Sequence, residues 1–193
     1  MVRAAKYYQE AYRYDDNDKA YIIDVSLDSY DDIYDEWDPS PFKKRDIEDE
    51  FDDFIRDSSS DIPIKYKLII ELFLPMSEKN TMKEKLLLQA YDNFYRFNLR
   101  RAKKEKQALQ KKAVNYLVLA FSFLFFGYFY EPLEESIFLK VFKEGIFIGG
   151  WVFLWEVFTV LFITLNTHMK AIKTIERLIH AKIVFIYTNK SQK

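Results

Sequence analysis

The sequence predicts a small α/β domain, a three-stranded sheet with helices, into which a transmembrane hairpin of two helices on a long helical stalk is inserted. Two long apolar runs lie in the second half of the chain. Segments that alternate apolar and polar residues lie on both sides of them. The charge is also divided: residues 1–80 carry 21 acids and 11 bases, whereas residues 81–193 carry 9 acids and 18 bases. The near-zero total is therefore a cancellation between an acidic front and a basic back. The acidic front excludes a phosphate-binding face, so no nucleic-acid partner is expected. The chain has no cysteine, which excludes disulfides, thiolate metal sites and cysteine nucleophiles.

Taken in order, residues 1–19 read as an N-terminal arm or a short helix through Ala5, Tyr8 and Tyr12. No apolar leader appears there, so insertion is assigned to the internal runs. Residues 20–81 form the cytoplasmic α/β domain. The first strand, 20–27, places Tyr21, Ile23, Val25 and Leu27 on one face and Ile22, Asp24 and Ser26 on the other. A helix over 45–56 follows from Ile47, Phe51, Phe54 and Ile55 on one side, and Ser58–Asp61 with Pro63 closes it. The second strand, 64–74, alternates from Ile64 to Leu74. A capping box, Thr81-x-x-Glu84, opens a helix that meets no Gly or Pro between Met82 and Ser122 and so can run from about 82 to 130. Leu86, Ala90, Phe94 and Phe97 are its expected apolar stripe.

Residues 82–112 are the basic stalk, and residues 113–130 are an 18-residue run without charge, the first span. Residues 131–144 are an acidic external connector. The second span is 145–165, with Glu156 as its one charge. Residues 166–182 continue as a helix, and 183–193 return as a strand that completes the sheet, followed by a tail. Arg100, Arg101, Lys103, Lys104, Lys111 and Lys112 precede the first span, and Lys170, Lys173, Arg177 and Lys182 follow the second. Basic flanks stay cytoplasmic, which puts both termini inside. The belt from Arg100 to Lys112 also suits a bilayer with anionic headgroups.

Two constellations stand out in the spans. Glu156 is a costly carboxylate near the middle of its span and is expected to face protein. It reads either as a pore or proton-relay group or as a neutral acid bonded across an oligomer interface to Asn115 or Ser122, since no base lies within 113–130. Gly145, Gly149 and Gly150 permit close helix packing or simply loosen the helix start. His168 and His180, twelve positions apart, read as stalk residues and not as a metal pair.

The most distinctive stretch is the acidic loop Asp31, Asp32, Asp35, Glu36, Trp37 and Asp38, then Pro39-Ser40-Pro41-Phe42. Its carboxylates suit a cation or a partner protein. Its turn residues, with Trp37 and Phe42 as anchors, suit a rigid connector. The EF-hand glycine and closing glutamate are absent, so no metal is assigned. The segments Asp38-Pro39-Ser40-Pro41-Phe42, Arg45-Asp46-Ile47, Ile62-Pro63, Glu144-Gly145, Gly150-Trp151 and Trp155 together resemble a group of uncharacterised bacterial two-span inner-membrane proteins with a DPSPF-type loop. The likeness covers most of the chain beyond residue 20. It implies the bacterial inner (plasma) membrane and supplies no activity and no catalytic residue.

No P-loop, G-x-G-x-x-G, G-x-S-x-G or H-E-x-x-H motif is present, and four glycines do not build a phosphate cradle. No cofactor is expected. The leading expectation is a non-enzymatic signalling or effector subunit, homo-oligomeric, with a cytoplasmic protein partner. The alternatives are a self-assembling channel or membrane-disrupting toxin built around Glu156, and a membrane enzyme using the carboxylates of residues 31–38.

Overall fold

A computed structural model describes residues 7–35, 38, 41, 46–130 and 136–189. The chain divides into two compact units. One is residues 1–100 with 172–193, and the other is residues 101–171. The first contains a mixed four-stranded sheet in the order β1-β2-β3-β4: β1 Arg13–Asp15, β2 Ala20–Ser26, β3 Lys67–Pro75 and β4 Lys182–Thr188. The expected three strands are all present, and a fourth corrects the count. The N-terminal arm supplies the helix α1, Tyr7–Ala11, and then β1, antiparallel to β2. Three residues are too few for alternation to register, which is why β1 is not legible in the sequence. The turn between β1 and β2 is closed by Asn17 N–H donating to Asp15 Oδ1 (2.9 Å), with Lys19 at φ 51°.

β2, β3 and β4 run parallel, with Ile23 opposite Ile70 and Leu72 opposite Phe185. One face of the sheet carries the main core, where Ile23 and Ile70 are fully buried and Leu72 and Leu74 nearly so. At its β1 end, Tyr8, Tyr14, Tyr21 and Tyr66 pack ring against ring. The opposite face holds a small cluster of Ala20, Ile22 and Ile69 with Val184. Beside it Arg13 forks onto Asp24 (2.5 and 3.0 Å) and Glu71 (2.5 Å).

Helix α2 is Asp49–Asp61, not 45–56. The serines extend the helix because Ser58 and Ser59 face inward, and Ser59 is wholly buried. The helix stops at Ile62, whose backbone is extended ahead of Pro63, as the residue before a proline prefers. Ile64–Tyr66 turn through a Tyr66 N–H to Pro63 carbonyl bond (3.0 Å) before β3 begins. Trp37, Phe42, Arg45 and Ala5 lie outside the described residues, as do 131–135.

Helix α3 runs Thr81–Phe129. Its cap is Asn80, whose Oδ1 accepts from the N–H groups of Met82 (3.0 Å) and Lys83 (3.2 Å). The expected Thr81–Glu84 capping box gives way because Thr81 is already helical and the Glu84 N–H donates to the Asn80 carbonyl (3.0 Å), while the Glu84 side chain accepts from the Tyr187 hydroxyl. The buried stripe is Leu87, Ala90, Tyr91 and Tyr95, while Phe97 is exposed. Tyrosines take the inner positions because their hydroxyls find partners there, as set out below.

The return leg comprises α4 (Ile137–Phe158), a π-helical turn (Thr159–Thr164) and α5 (Leu165–Ile179). Two helical stretches, Thr81–Phe129 and Ile137–Ile179, are long and apolar enough to cross a membrane. Only 17% of each apolar window is buried within the chain.

Candidate functional site in the apolar hairpin

Within residues 101–171, α3 and α4 pack antiparallel through residues that remove bulk. Gly127 lies against Phe147: a Cβ at 127 would come within 3.2 Å of the Phe147 Cα. A Cβ at Gly150 would meet Leu124 at 2.7 Å from Cγ and 3.0 Å from the backbone nitrogen, and one at Gly149 would touch the Phe123 ring at 3.3 Å. Gly145 has open space around it. The close approach thus uses Gly149, Gly150 and, from the first run, Gly127. The Gly145 end of the expected motif takes no part. Phe153 continues the seam against Tyr116 (5.8 Å between centroids) and Phe123 (5.4 Å).

This register decides what Glu156 meets. Lys112 Nζ lies 3.6 Å from Glu156 Oε1, with the two side chains 47% and 42% exposed. Lys112 immediately precedes the uncharged run 113–130, so the cation missing inside that run is supplied by the residue just before it. Glu156 accordingly lies beside the start of the first run and not midway along it. Lys112 also lies over the Tyr116 ring (5.1 Å). Ser122 donates to the Val118 carbonyl of its own helix (2.8 Å), and Asn115 is exposed. An ion pair at the edge of apolar surface holds register more than it adds stability, because desolvation offsets much of the attraction. Of the other belt residues, Arg101 pairs with Glu105 (3.3 Å), and Lys103, Lys104 and Lys111 are exposed on the same helix.

One feature of this region left no sequence signal. Beginning three residues after Glu156 the helix widens into the π turn, where Leu165 N–H reaches back five residues to Val160. Thr159 and Thr167 donate to the Trp155 and Ile163 carbonyls (both 3.2 Å), so their hydroxyls are satisfied within the helix.

In the sheet unit, the parts of α3 and α5 that belong to it are locked by polar contacts. Tyr91 donates to the Leu178 carbonyl (3.1 Å), and Tyr95 donates to Asp52 (2.7 Å), which also holds Arg56 (2.6 Å). Burial raises both tyrosine pKa values. Arg177 from α5 caps the C-terminus of α2, donating to the Ile62 (2.9 Å), Pro63 (3.2 Å) and Ser59 carbonyls and to the Ser59 hydroxyl. A helix C-terminus offers unpaired carbonyls and partial negative charge, which suits a guanidinium fork. Burial lowers the Arg177 pKa. Tyr187 on β4 bonds Tyr30 (2.6 Å) and Glu84; burial first, then those bonds, raise its pKa.

The acidic loop is occupied by its own backbone. Asp32 accepts from the Asp28 (2.8 Å) and Ser29 (2.9 Å) amides and completes a capping box with Ser29. Asp38 accepts from the Asp46 amide (2.8 Å), Asp35 N–H donates to the Asp46 carbonyl (3.1 Å), and Asp31 faces Lys83 at 3.9 Å. Among the described residues no three ligating side chains converge on a metal position. Asp38 and Asp46 also border a cavity of about 410 Å³ with Asn93, Phe94, Phe97 and Arg100.

No family model, curated protein or solved structure matches the chain.

Proposed function

We propose that this chain is a two-pass membrane subunit of signalling or effector type, self-associating and non-enzymatic. Its α/β unit binds a cytoplasmic protein partner and is coupled to the membrane hairpin. One observation carries the coupling. β4, which follows the hairpin, lies in full parallel register on β3, which precedes it. A change in the hairpin must therefore act on a sheet whose halves it joins. Two helices with mostly unburied apolar surface support insertion, since exposed apolar area of that extent is costly in water. The basic flanks and acidic connector support cytoplasmic termini, and the belt Arg100–Lys112 supports contact with anionic headgroups. The bacterial inner membrane rests on the resemblance of the DPSPF-type loop.

The Lys112–Glu156 pair weighs against the channel alternative. Any ring of Glu156 around a pore would carry an equal ring of lysine. The test is hydrogen exchange on the full-length protein in lipid nanodiscs. Coupling predicts that Gly150→Val raises exchange in β3 and β4, although Gly150 lies in the other unit. Unchanged protection of both strands would remove the coupling.

A further inference from the structure

The sheet has two edges, and they are treated differently. β1 closes one edge with three residues and a charged fork. At the other, β4 is seven residues long, Lys-Ile-Val-Phe-Ile-Tyr-Thr, and among the described residues no strand lies beyond it. All six residues from Ile183 to Thr188 are partly exposed. β4 contains no proline, and its only charge is Lys182 at the first position. Such an edge presents unpaired backbone groups to any strand that can align with it.

The backbone shows which groups are free. Leu27 N–H donates to the Phe73 carbonyl (2.9 Å), so β3 turns Phe73 and its alternates toward β2 and turns Ile70, Leu72 and Leu74 toward β4. In the β3–β4 register, Val184 and Ile186 answer Leu72, which leaves the amides and carbonyls of Ile183, Phe185 and Tyr187 facing outward. This row is self-complementary about Phe185. We infer that β4 is the contact between two copies of this chain, pairing antiparallel about a two-fold axis at Phe185 to join two four-stranded sheets into one. The inference rests on the self-association proposed above and assigns its surface.

Phe185 then exchanges both bonds with Phe185 of the second copy, and Ile183 does so with Tyr187, for about six backbone bonds in all. Between these rows Val184 faces Ile186 of the second copy, a β-branched pair of the kind that stabilises adjacent strands. The charge pattern fits the same register. Lys182 faces Thr188 of the second copy, so the two lysines stand at opposite ends of the joint and no like charges meet.

The chain has no cysteine, so engineered thiols report without background. The experiment oxidises membranes containing full-length Lys182→Cys, Thr188→Cys or the double variant, beside light scattering of the detergent-solubilised parent. The double variant should form covalent dimer at least about tenfold more than either single, because the facing positions are neighbours across the joint. Dimer by scattering with no cross-link in the double variant overturns the β4 joint while leaving self-association intact. Equal cross-linking in the singles and the double overturns the register. A monomer by scattering overturns self-association itself. A β4 edge covered by another segment or by a partner's strand gives no cross-link and counts against the inference.

Discussion

In the sheet unit, α3 and α5 are joined by directed polar contacts: Tyr91 to a backbone carbonyl, Tyr95 to Asp52, and Arg177 to the end of α2. In the hairpin unit, α3 and α4 are joined by the absence of side chains at Gly127 and Gly150, a ring seam and, among the described residues, one ion pair. The contrast fits the surroundings proposed for each, water for the sheet unit and hydrocarbon for the hairpin. Beside water, a hydroxyl or guanidinium contributes once its buried donors are satisfied, and the apolar effect drives the rest of the packing. In hydrocarbon, apolar transfer gives helices no reason to associate, and close backbone approach replaces it.

Substitutions should divide along that line. The largest loss is expected from Arg177→Met, which removes the cap and leaves α2 carbonyls unpaired. It should destabilise the sheet unit by about 2–4 kcal/mol in denaturant unfolding, with Arg177→Lys recovering little because an ammonium cannot fork. Next is Gly150→Ala, expected to cost about 1–3 kcal/mol by overpacking against Leu124, while Gly145→Ala, whose Cβ enters open space within α4, should stabilise by up to about 1 kcal/mol. Equal effects at the two glycines would show that the seam is elsewhere. Glu156→Gln should cost about 1–2 kcal/mol by leaving Lys112 without its partner, and the double change Lys112→Met with Glu156→Leu should restore most of that.

The smallest effect is expected from pH. Lys182 bonds Asp18 (2.7 Å), and that hydrogen bond holds the Asp18 carboxyl below its usual range. A lowered folded value stabilises above the unfolded carboxylate pKa of about 3.9 and is lost as pH falls through the lowered value. Asp18→Asn should therefore melt slightly below the parent at neutral pH and coincide with it in acid below that lowered value. Both groups are exposed, so added salt should shrink the difference.

The two long apolar helices and the three longer strands are legible because they repeat one signal many times: apolar runs with at most one charge, and alternation over several residues. The elements that were not legible depend on a partner distant in sequence. Tyr91 and Tyr95, spaced i and i+4, lie outside the expected stripe of Leu86, Ala90, Phe94 and Phe97, and only the acceptors on α2 and α5 mark them for the inner face. Arg177 read as one more basic flank residue, although its fork answers a helix end more than 110 positions earlier in the chain. Lys112 read as part of a lipid-facing belt because only the antiparallel register brings it to Glu156. The acids of the loop read as a cation or partner site or as the turn oxygens of a rigid connector, and Asp32 and Asp38 accept from backbone amides.

The proposed hairpin crosses the membrane twice and returns its chain to the same sheet. Single-cysteine labelling with an impermeant maleimide on intact cells decides this, using Ser136→Cys in the connector and Ser60→Cys on the exposed surface of the α/β unit. Ser136→Cys should label at once and Ser60→Cys only after the membrane is permeabilised. Labelling of both without permeabilisation, or of Cys at 60 alone, would contradict it.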